Sequence, residues 1–349
     1  MKNILFICNT YYQIMIATQI AIFLYPNDNK YLVLSDDISN ASVLVENIKK
    51  HNVYTNAYFF RKKPQSKIKY FFNCIFGSNV CNIESGLKID DLFAFNFDLY
   101  SHFIFAYFQK KNRLIKTHRF EEGILSYSVN FDESNFLKKA YRIRKLFGKN
   151  NMRLVCKDFY CLLPSLYKGE LNAIQIPSVN TGLLQYKESL TKIFYNDNYD
   201  CCISDGFLYL SSIYNVDGEG KVDEDSVIDR ISSLIYPAQL FVKPHPRDTK
   251  LCKNKNSIHV PLPIECFALL NLINKKIVFV SSFSGSLFNL SSLFGDRFKY
   301  IYVNNLCDCS KNELASYFSA SINSLSKNEL FKNRIIVMND LSDIKKYEI

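Results

Sequence analysis

Residues 277–294 have the sequence IVFVSSFSGSLFNLSSLF, from which the class of fold can be predicted. The short apolar run Ile277–Ser281 predicts a buried strand, and residues 287–293 are expected to be helical. Between them lies a hydroxyl-rich turn, residues 282–286, that contains Gly285. A strand that leads through a polar turn into a helix is the repeating unit of α/β domains with parallel sheets.

The same alternation recurs along the whole chain. Further strands are expected at 4–8, 31–34, 92–96, 114–121, 199–204, 239–243 and 299–303, and helices at 11–24, 39–50, 99–110, 225–235 and 264–273. Residues 156–198, with Pro164 and Pro177, lack clear periodicity. We therefore predict an α/β protein with two Rossmann-like domains, residues 1–155 and 199–349, that are joined by residues 156–198 and face a cleft.

The composition limits the classes of protein that need to be considered. A chain of 349 residues with 48% hydrophobic and 22% charged residues fits two folded domains. Its formal net charge of +10 indicates an acidic partner such as a nucleotide, an anionic lipid surface or a nucleic acid. The 11 cysteines form no CxxC pair and stand in apolar runs, which predicts buried free thiols in a reducing compartment and no zinc site.

The N-terminal apolar run, residues 4–8, is too short for a signal-peptide core or a membrane span. No later apolar run reaches the length of a membrane helix. We therefore expect a cytoplasmic protein that is either soluble or peripheral to a membrane.

Polar clusters follow three of the predicted strands. They are Glu121-Glu122-Gly123, Lys243-Pro244-His245-Pro246-Arg247 and Ser282-Phe283-Ser284-Gly285-Ser286. Ligands of open parallel sheets bind beyond the carboxyl ends of the strands. The placement of the three clusters therefore predicts an enzyme with a binding cleft.

The second cluster has a histidine in a rigid backbone. Pro244 and Pro246 restrict the chain around His245, and Lys243 and Arg247 add a cation on each side. Such a loop is suited to binding a phosphate, and the imidazole can donate a hydrogen bond or a proton to it as it leaves. A rigid surface turn is the alternative interpretation.

The third cluster is suited to an anion as well. Hydroxyl groups and free N–H groups at a helix N-terminus bind phosphate, and Gly285 lets the backbone approach it closely. An ordinary serine N-cap explains Ser282 and Ser284 equally well.

Carboxylates supply candidate bases. Glu121 and Glu122 point to opposite faces of a strand, so one of them is expected to enter the cleft and to deprotonate an acceptor hydroxyl. Asp205, after the expected strand 199–204, is a second candidate base, and Glu265 can accept hydrogen bonds from ribose hydroxyls. Solvated turns and a favourable helix dipole are the alternatives for these residues.

Two further groups of residues are candidates for binding. Asn9, Thr10 and Gln13 lie where the first strand meets its helix and can contact a sugar, although helix capping also explains Thr10. The stretches 61–69 and 138–153 are basic and contain or adjoin Phe and Tyr residues, which fits contact with a membrane surface. A solvated basic face is the alternative for both.

The ordered trio of an acidic-acidic-Gly motif, a His-Pro motif and a Ser-rich motif resembles the bacterial sialyltransferases. It is most similar to glycosyltransferase family 52, which contains the neisserial lipooligosaccharide sialyltransferase. The resemblance extends from the strand before Asn9-Thr10 to the strand near Tyr300.

This resemblance implies a GT-B-type fold and an inverting, metal-independent transfer of sialic acid from CMP-sialic acid. The residues that would bind CMP are Lys243, Pro244, His245, Pro246, Glu265, Ser282, Ser284 and Gly285. The base would be Glu121, Glu122 or Asp205. The acceptor would be a galactose-type glycan of a capsular polysaccharide or lipooligosaccharide, lipid-linked at an anionic inner membrane. No cofactor is implied, and a homodimer is compatible with the family.

Two alternatives remain open at this stage. A CDP-glycerol-type glycerophosphotransferase also uses His-Pro motifs near a cytidine nucleotide, and it would require a second histidine motif, for which His102 and His118 are available. A non-catalytic, basic membrane- or nucleic-acid-binding protein is the other. The sequence contains no recognised nucleic-acid module, so we expect no nucleic-acid partner.

Overall fold

The computed structural model describes residues 1–62, 66–128, 135–179, 183–194, 203–212, 224–245, 256–258, 260, 262–308 and 312–347. The chain divides into two compact units, Met1–Asn196 and Asp197–Ile349. Both are parallel-sheet α/β domains, as predicted.

The first unit contains a seven-stranded parallel sheet in the order β3-β2-β1-β4-β5-β6-β7. Its strands are β1 (Asn3–Cys8), β2 (Asn29–Ser35), β3 (Asn56–Phe60), β4 (Asp91–Ala94), β5 (Lys116–Phe120), β6 (Cys156–Cys161) and β7 (Asn172–Gln175). Its helices are α1 (Tyr11–Phe23), α2 (Ala41–Lys50), α3 (Lys67–Phe76), α4 (Leu99–Gln109), α5 (Leu125–Ser128), α6 (Asn135–Leu146), α7 (Met152–Val155) and α8 (Leu183–Phe194).

The second unit contains a five-stranded parallel sheet in the order β12-β11-β10-β8-β9. Its strands are β8 (Gly206–Leu210), β9 (Leu240–Lys243), β10 (Ile277–Ser281), β11 (Lys299–Tyr302) and β12 (Ile335–Val337). Its helices are α9 (Glu224–Leu234), α10 (Ile264–Phe267), which continues as the π-helical segment Ala268–Leu272, α11 (Gly285–Phe294) and α12 (Glu313–Leu325).

Apolar central strands account for both cores. Every residue of β10 is buried, as are residues 4–8 of β1, because parallel strands are covered by helices on both faces. In the first core Phe6 stacks on Phe93, with ring centroids 4.8 Å apart. The cysteines Cys8, Cys74, Cys156 and Cys266 are buried free thiols, which confirms that expectation for these positions.

The expected domain boundaries differ from the structure. Residues 156–198 were expected to connect two domains, but β6, β7 and α8 lie within this stretch and complete the first unit. In β6 the buried residues Phe159, Tyr160 and Cys161 follow the exposed Lys157 and the partly buried Asp158. The apolar run is therefore too short to predict a strand from the sequence.

Several strands also differ from the sequence-based expectation. Most of the strand expected at 199–204 lies outside the described residues, and the strand that the structure shows nearby, β8, begins at Gly206. β3 and β12 were not anticipated, and β12 follows the strand that was expected to close the series. Among the described residues, every helix falls short of the length and apolarity that a membrane span requires.

Candidate functional site

The strand order of the first unit places a ligand site beside β1 and β4. From β1 the chain continues to β2 and β3 on one side of the sheet, and from β4 it continues to β5, β6 and β7 on the other side. Such a switch point leaves a crevice at the carboxyl ends of the strands. Asn9 follows β1, and its Nδ2 donates to Oδ2 of Asp98, the N-cap of α4, at 3.3 Å. The Oδ1 atom of Asn9 is buried and has no hydrogen-bond partner among the described residues, so an acceptor remains for a ligand.

Thr10, Gln13 and Glu122 come together at this edge. Thr10 caps α1 by accepting a hydrogen bond from the Gln13 N–H at 3.2 Å, and Oε1 of Gln13 accepts from the Asn9 N–H at 2.6 Å. Burial raises the pKa of Glu122 to about 7, hydrogen bonds with Gln13 and Thr10 oppose this shift, and the charge of Asp37 adds to it. A carboxyl group with a pKa near neutrality and partial exposure is suited to general base catalysis.

Glu121 has a different environment from its neighbour. It is fully buried, and its carboxylate accepts hydrogen bonds from Tyr12 Oη at 2.7 Å, from Leu162 N at 2.7 Å and from Tyr127 Oη. Burial raises the pKa of Glu121, and these three hydrogen bonds oppose the shift. Glu121 therefore joins α1, the segment after β5 and the segment after β6. Gly123, with a φ of 88°, then turns the chain in a conformation that glycine tolerates.

The second unit has its switch point between β8 and β10. Tyr209 of β8 hydrogen-bonds across this point to Ser282 Oγ at 2.6 Å and donates to Glu224 Oε1 at 3.1 Å. Glu224 also accepts from the Ser212 N–H at 3.0 Å, and burial raises its pKa. Ser282 is fully buried and also lies 3.2 Å from Cys307 Sγ, so its hydroxyl group has contacts within the chain.

Lys243 and Glu265 form a second buried group near this edge. Burial lowers the pKa of Lys243, and the charge of Glu265 opposes that shift. Burial raises the pKa of Glu265, and hydrogen bonds with Asn289 and Ser286 oppose it. Asn289 Nδ2 donates to Glu265 Oε1 at 2.9 Å, while the buried Oδ1 of Asn289 has no hydrogen-bond partner among the described residues.

The N-terminus of α11 presents hydroxyl and N–H groups. Ser284 is the N-cap and accepts from the Ser286 N–H at 3.3 Å, and its own N–H donates to Ser281 Oγ at 2.9 Å. A Cβ placed on Gly285 would meet only ring carbons of Phe318, the nearer at 3.9 Å, so packing within the chain does not require glycine there. His245, two residues after the end of β9, is partly exposed.

The structure brings most of the predicted residues to these two edges, with one clear exception. Asp205 was expected to follow a strand, and this placement is wrong, because Asp205 precedes β8 and its Oδ1 accepts from the Lys276 N–H at 3.0 Å. It therefore lies at the amino end of the sheet, away from the carboxyl ends where ligands bind. Pro246 and Arg247 lie outside the described residues.

The two histidines considered for a second motif both lie in the interior of the first unit. His102 is fully buried, its Nε2 lies 3.1 Å from Cys74 O, and burial lowers its pKa to about 3. His118 lies between Asp91 and Asp158 within the sheet, at 3.0 Å and 3.1 Å. Neither histidine lies at the carboxyl edge, which disfavours the glycerophosphotransferase alternative.

Several contributors were missed from the sequence. The residues whose side chains form hydrogen bonds at the two edges without having been predicted are Tyr12, Tyr127, Tyr209, Glu224 and Asn289. The only signal in the sequence was a single polar residue among apolar residues of a helix, as for Asn289 in the sequence Leu287-Phe288-Asn289-Leu290. Across the described residues, no group of three or more His, Cys, Asp or Glu side chains is arranged so that it could hold a metal ion.

Solved structures show the class of fold. The chain has a TM-score of 0.50 and 13% identity to an alpha/beta-galactoside alpha-2,3-sialyltransferase from Photobacterium phosphoreum, over 98% of each chain. It has the same TM-score and 9% identity to a spinosyn forosaminyltransferase, over 99% of this chain and 89% of the other. The fold is thus that of the GT-B glycosyltransferases.

The family follows from the sequence match. The model of the alpha-2,8-polysialyltransferase family matches residues 4–303, which is most of the chain. The protein therefore belongs to the alpha-2,8-polysialyltransferase family. No curated protein sequence matches the chain. The specific resemblance to glycosyltransferase family 52 stays a prediction.

Proposed function

We propose that this protein is an inverting sialyltransferase that transfers sialic acid from CMP-sialic acid to a hydroxyl group of a glycan. The observation that carries the proposal is the family match over residues 4–303, since this segment includes all the candidate site residues at both carboxyl edges. The arrangement at each edge suits one half of the reaction.

The second unit supplies groups for the donor. Lys243, Glu265 and Asn289 offer a cation, a carboxyl group and an unpaired amide oxygen for the cytidine. Ser284, the N–H groups at the start of α11 and His245 offer hydrogen-bond donors for the phosphate. When the bond from the sialic acid anomeric carbon to the phosphate oxygen breaks, its electron pair stays on the phosphate, and these donors stabilise the charge.

The first unit supplies the base. The ionised carboxylate of Glu122 accepts the proton of the acceptor hydroxyl, whose oxygen then forms the new bond to the anomeric carbon. Glu121 is a positioning residue in this scheme, because its three hydrogen bonds hold the turn that carries Glu122. Asn9, Thr10 and Gln13 line the same edge and can contact the acceptor sugar.

The acceptor class can be narrowed by the family. The family name supports an acceptor that itself ends in sialic acid, to which the new sialic acid would be joined through an α-2,8 linkage. A galactose-ended glycan of a capsular polysaccharide or lipooligosaccharide, the expectation from the sequence, is the alternative. In both cases the acceptor would be lipid-linked at the inner face of the cytoplasmic membrane.

Release of CMP tests this proposal. The protein is incubated with CMP-sialic acid and, separately, with CDP-glycerol, each with a sialic acid-ended oligosaccharide, a galactose-ended oligosaccharide or no acceptor. We expect CMP release with CMP-sialic acid that increases with the sialic acid-ended acceptor. Turnover of CDP-glycerol alone would overturn the proposal, and preference for the galactose-ended acceptor would overturn the α-2,8 assignment.

A further inference from the structure

Helices α3 and α6 of the first unit pack side by side. Phe71 and Phe136 pack edge to face across the pair, with ring centroids 5.8 Å apart. Arg144 of α6 is fully buried and donates to the carbonyl oxygens of Cys74 and Ile75 in the last turn of α3, at 3.2 Å and 2.7 Å. A cation at the C-terminus of a helix is favoured by the free carbonyls and the helix dipole. Arg144 therefore fixes the two helices and is unavailable to an outside partner, unlike the other cations of this stretch.

The outer side of this pair carries large exposed apolar side chains. Ile68 and Phe72 of α3 are 70% and 54% exposed, and Leu146 and Phe147 at the end of α6 are 84% and 59% exposed. Phe76 joins the two helices, since its ring centroid lies 6.1 Å from that of Phe72 and 6.1 Å from that of Phe147. Single exposed apolar residues are common, whereas a contiguous group of this kind marks an interaction surface.

Exposed cations accompany these apolar side chains. Neither α3 nor α6 contains an Asp or Glu. We define the α3–α6 surface by its exposed and partly exposed members, which are Lys67, Ile68, Lys69, Phe72, Phe76, Lys138, Lys139, Arg142, Lys145, Leu146, Phe147 and Lys149.

The cations at the edge of this surface crowd one another. Lys149 Nζ lies 5.3 Å from the ring centroid of Phe76. The pKa of Lys149 is lowered by burial first, and then by the charges of Arg144, Lys110 and Arg113. The positive charge is thus concentrated beside the aromatic rings, where an anionic partner would offset the repulsion.

We propose that the α3–α6 surface binds an anionic phospholipid membrane, with Phe72, Leu146 and Phe147 in the interfacial layer. Apolar side chains at the level of the lipid headgroups and cations against anionic headgroups are the two components of interfacial binding. A hydrated polyanion such as a glycan or a nucleic acid would use the cations and leave the apolar side chains in water. The exposed Leu and Phe residues therefore favour the membrane, independently of the reaction that the enzyme catalyses.

Vesicle flotation tests the contribution of charge. The full chain is mixed with vesicles of phosphatidylcholine alone or with phosphatidylglycerol, at low and high salt. We expect binding to the anionic vesicles that salt weakens, since the attraction is screened over about 10 Å at 0.1 M ionic strength. The variant with Lys138→Gln, Lys139→Gln, Arg142→Gln and Lys145→Gln should bind about 600-fold more weakly, because each of the four cations contributes about fivefold.

The matched control carries Lys49→Gln, Lys50→Gln, Lys88→Gln and Lys192→Gln, four exposed positions elsewhere in the first unit, and should lose much less binding. Equal losses in the two variants would overturn the proposal, since net charge alone would then account for the attraction.

A second pair of variants separates a membrane from a soluble polyanion. The variant with Leu146→Ser and Phe147→Ser should weaken vesicle binding by about tenfold or more and leave heparin binding unchanged. The control variant with Val43→Ser and Leu184→Ser alters exposed apolar residues of α2 and α8 and should change neither vesicle binding nor heparin binding. Unchanged vesicle binding by the first variant would overturn the proposal and assign the surface to a polyanion. CMP release with a soluble acceptor is measured for all variants, so that a failure of the catalytic proposal is recognised separately.

Discussion

Glu121 and Glu122 are adjacent in the chain and have the same side chain, yet the structure gives them different surroundings. The alternation of side chains along a strand predicts that only one of them reaches a ligand, but it cannot indicate which one. The choice depends on Tyr12, Tyr127 and Leu162, which lie far from one another in the sequence and meet only in the fold. These contacts surround Glu121 and leave Glu122 beside Thr10 and Gln13.

We expect Glu122→Gln to lower turnover by about 10²- to 10⁴-fold, the range for loss of a general base. Because the base must be ionised, wild-type turnover should rise with pH and level off above pH 7, in line with a pKa of about 7. The measurement is a pH–rate profile of CMP release for both proteins. Near-wild-type turnover in the folded Gln variant would exclude Glu122 as the base.

The raised pKa of Glu122 also predicts a gain in stability from the same substitution. The folded protein retains the Glu122 proton between the ordinary pKa of 4.5 and about 7, where the unfolded chain has already lost it. The contribution of this group to the free energy of unfolding is therefore fully present below pH 4.5 and is lost as the pH rises through 7. Glu122→Gln should raise the free energy of unfolding at pH 8 by up to about 3 kcal/mol, and with it the unfolding temperature, with a smaller gain at pH 5.

Glu121→Ala is the contrasting variant in these unfolding measurements. Three donors would lose their acceptor, so the free energy of unfolding should fall by about 3 kcal/mol or more. A neutral effect of Glu121→Ala would contradict its positioning role.

At the scale of elements, the strand β10 and its helix α11 were predictable, whereas β6 and β7 were not. Ile277–Ser281 is a continuous apolar run that ends in a serine-rich turn, so both its type and its bounds follow from the sequence. In β6 the polar residues Lys157 and Asp158 leave a buried run of only three residues, and β7 is partly exposed at the edge of the sheet, so neither strand produces a strong apolar signal. Asp205 was misplaced for another reason. The fully buried strand β8, Gly206–Leu210, follows Asp205, whereas the strand expected from the sequence preceded it.

Gly285 tests the role of α11 as the phosphate site. A methyl group at this position fits the chain and removes a helical glycine, so Gly285→Ala should leave the thermal midpoint unchanged or slightly raised. If the phosphate approaches the backbone closely, the same methyl group should raise the KM for CMP-sialic acid by about tenfold or more.

Gly86→Ala is the matched control for this substitution, because a Cβ there meets nothing within 4 Å. An unchanged KM in Gly285→Ala would place the phosphate elsewhere.

In the reaction that we propose, the first unit would supply the base and the second unit a set of hydrogen-bond donors. The donors of the second unit are neutral hydroxyls, N–H groups and an imidazole, with the buried Lys243 nearby. Preorganised donors of this kind stabilise a leaving phosphate, and each contributes most where water is excluded. The sequence predicted these residue types, because each follows a strand, while the buried supports Tyr209, Glu224 and Asn289 required the fold.

Since the chain itself supplies these donors, we expect CMP release in excess EDTA to match the rate in the presence of Mg²⁺ or Mn²⁺. CMP should be quantified directly by chromatography, because coupled assays often contain metal-dependent enzymes. His245→Ala, measured under both conditions, indicates whether a cation can replace the imidazole at the phosphate. Activity that EDTA abolishes and that Mg²⁺ or Mn²⁺ restores would show that the protein donors do not suffice, and a cation would then have to take part in stabilising the leaving phosphate.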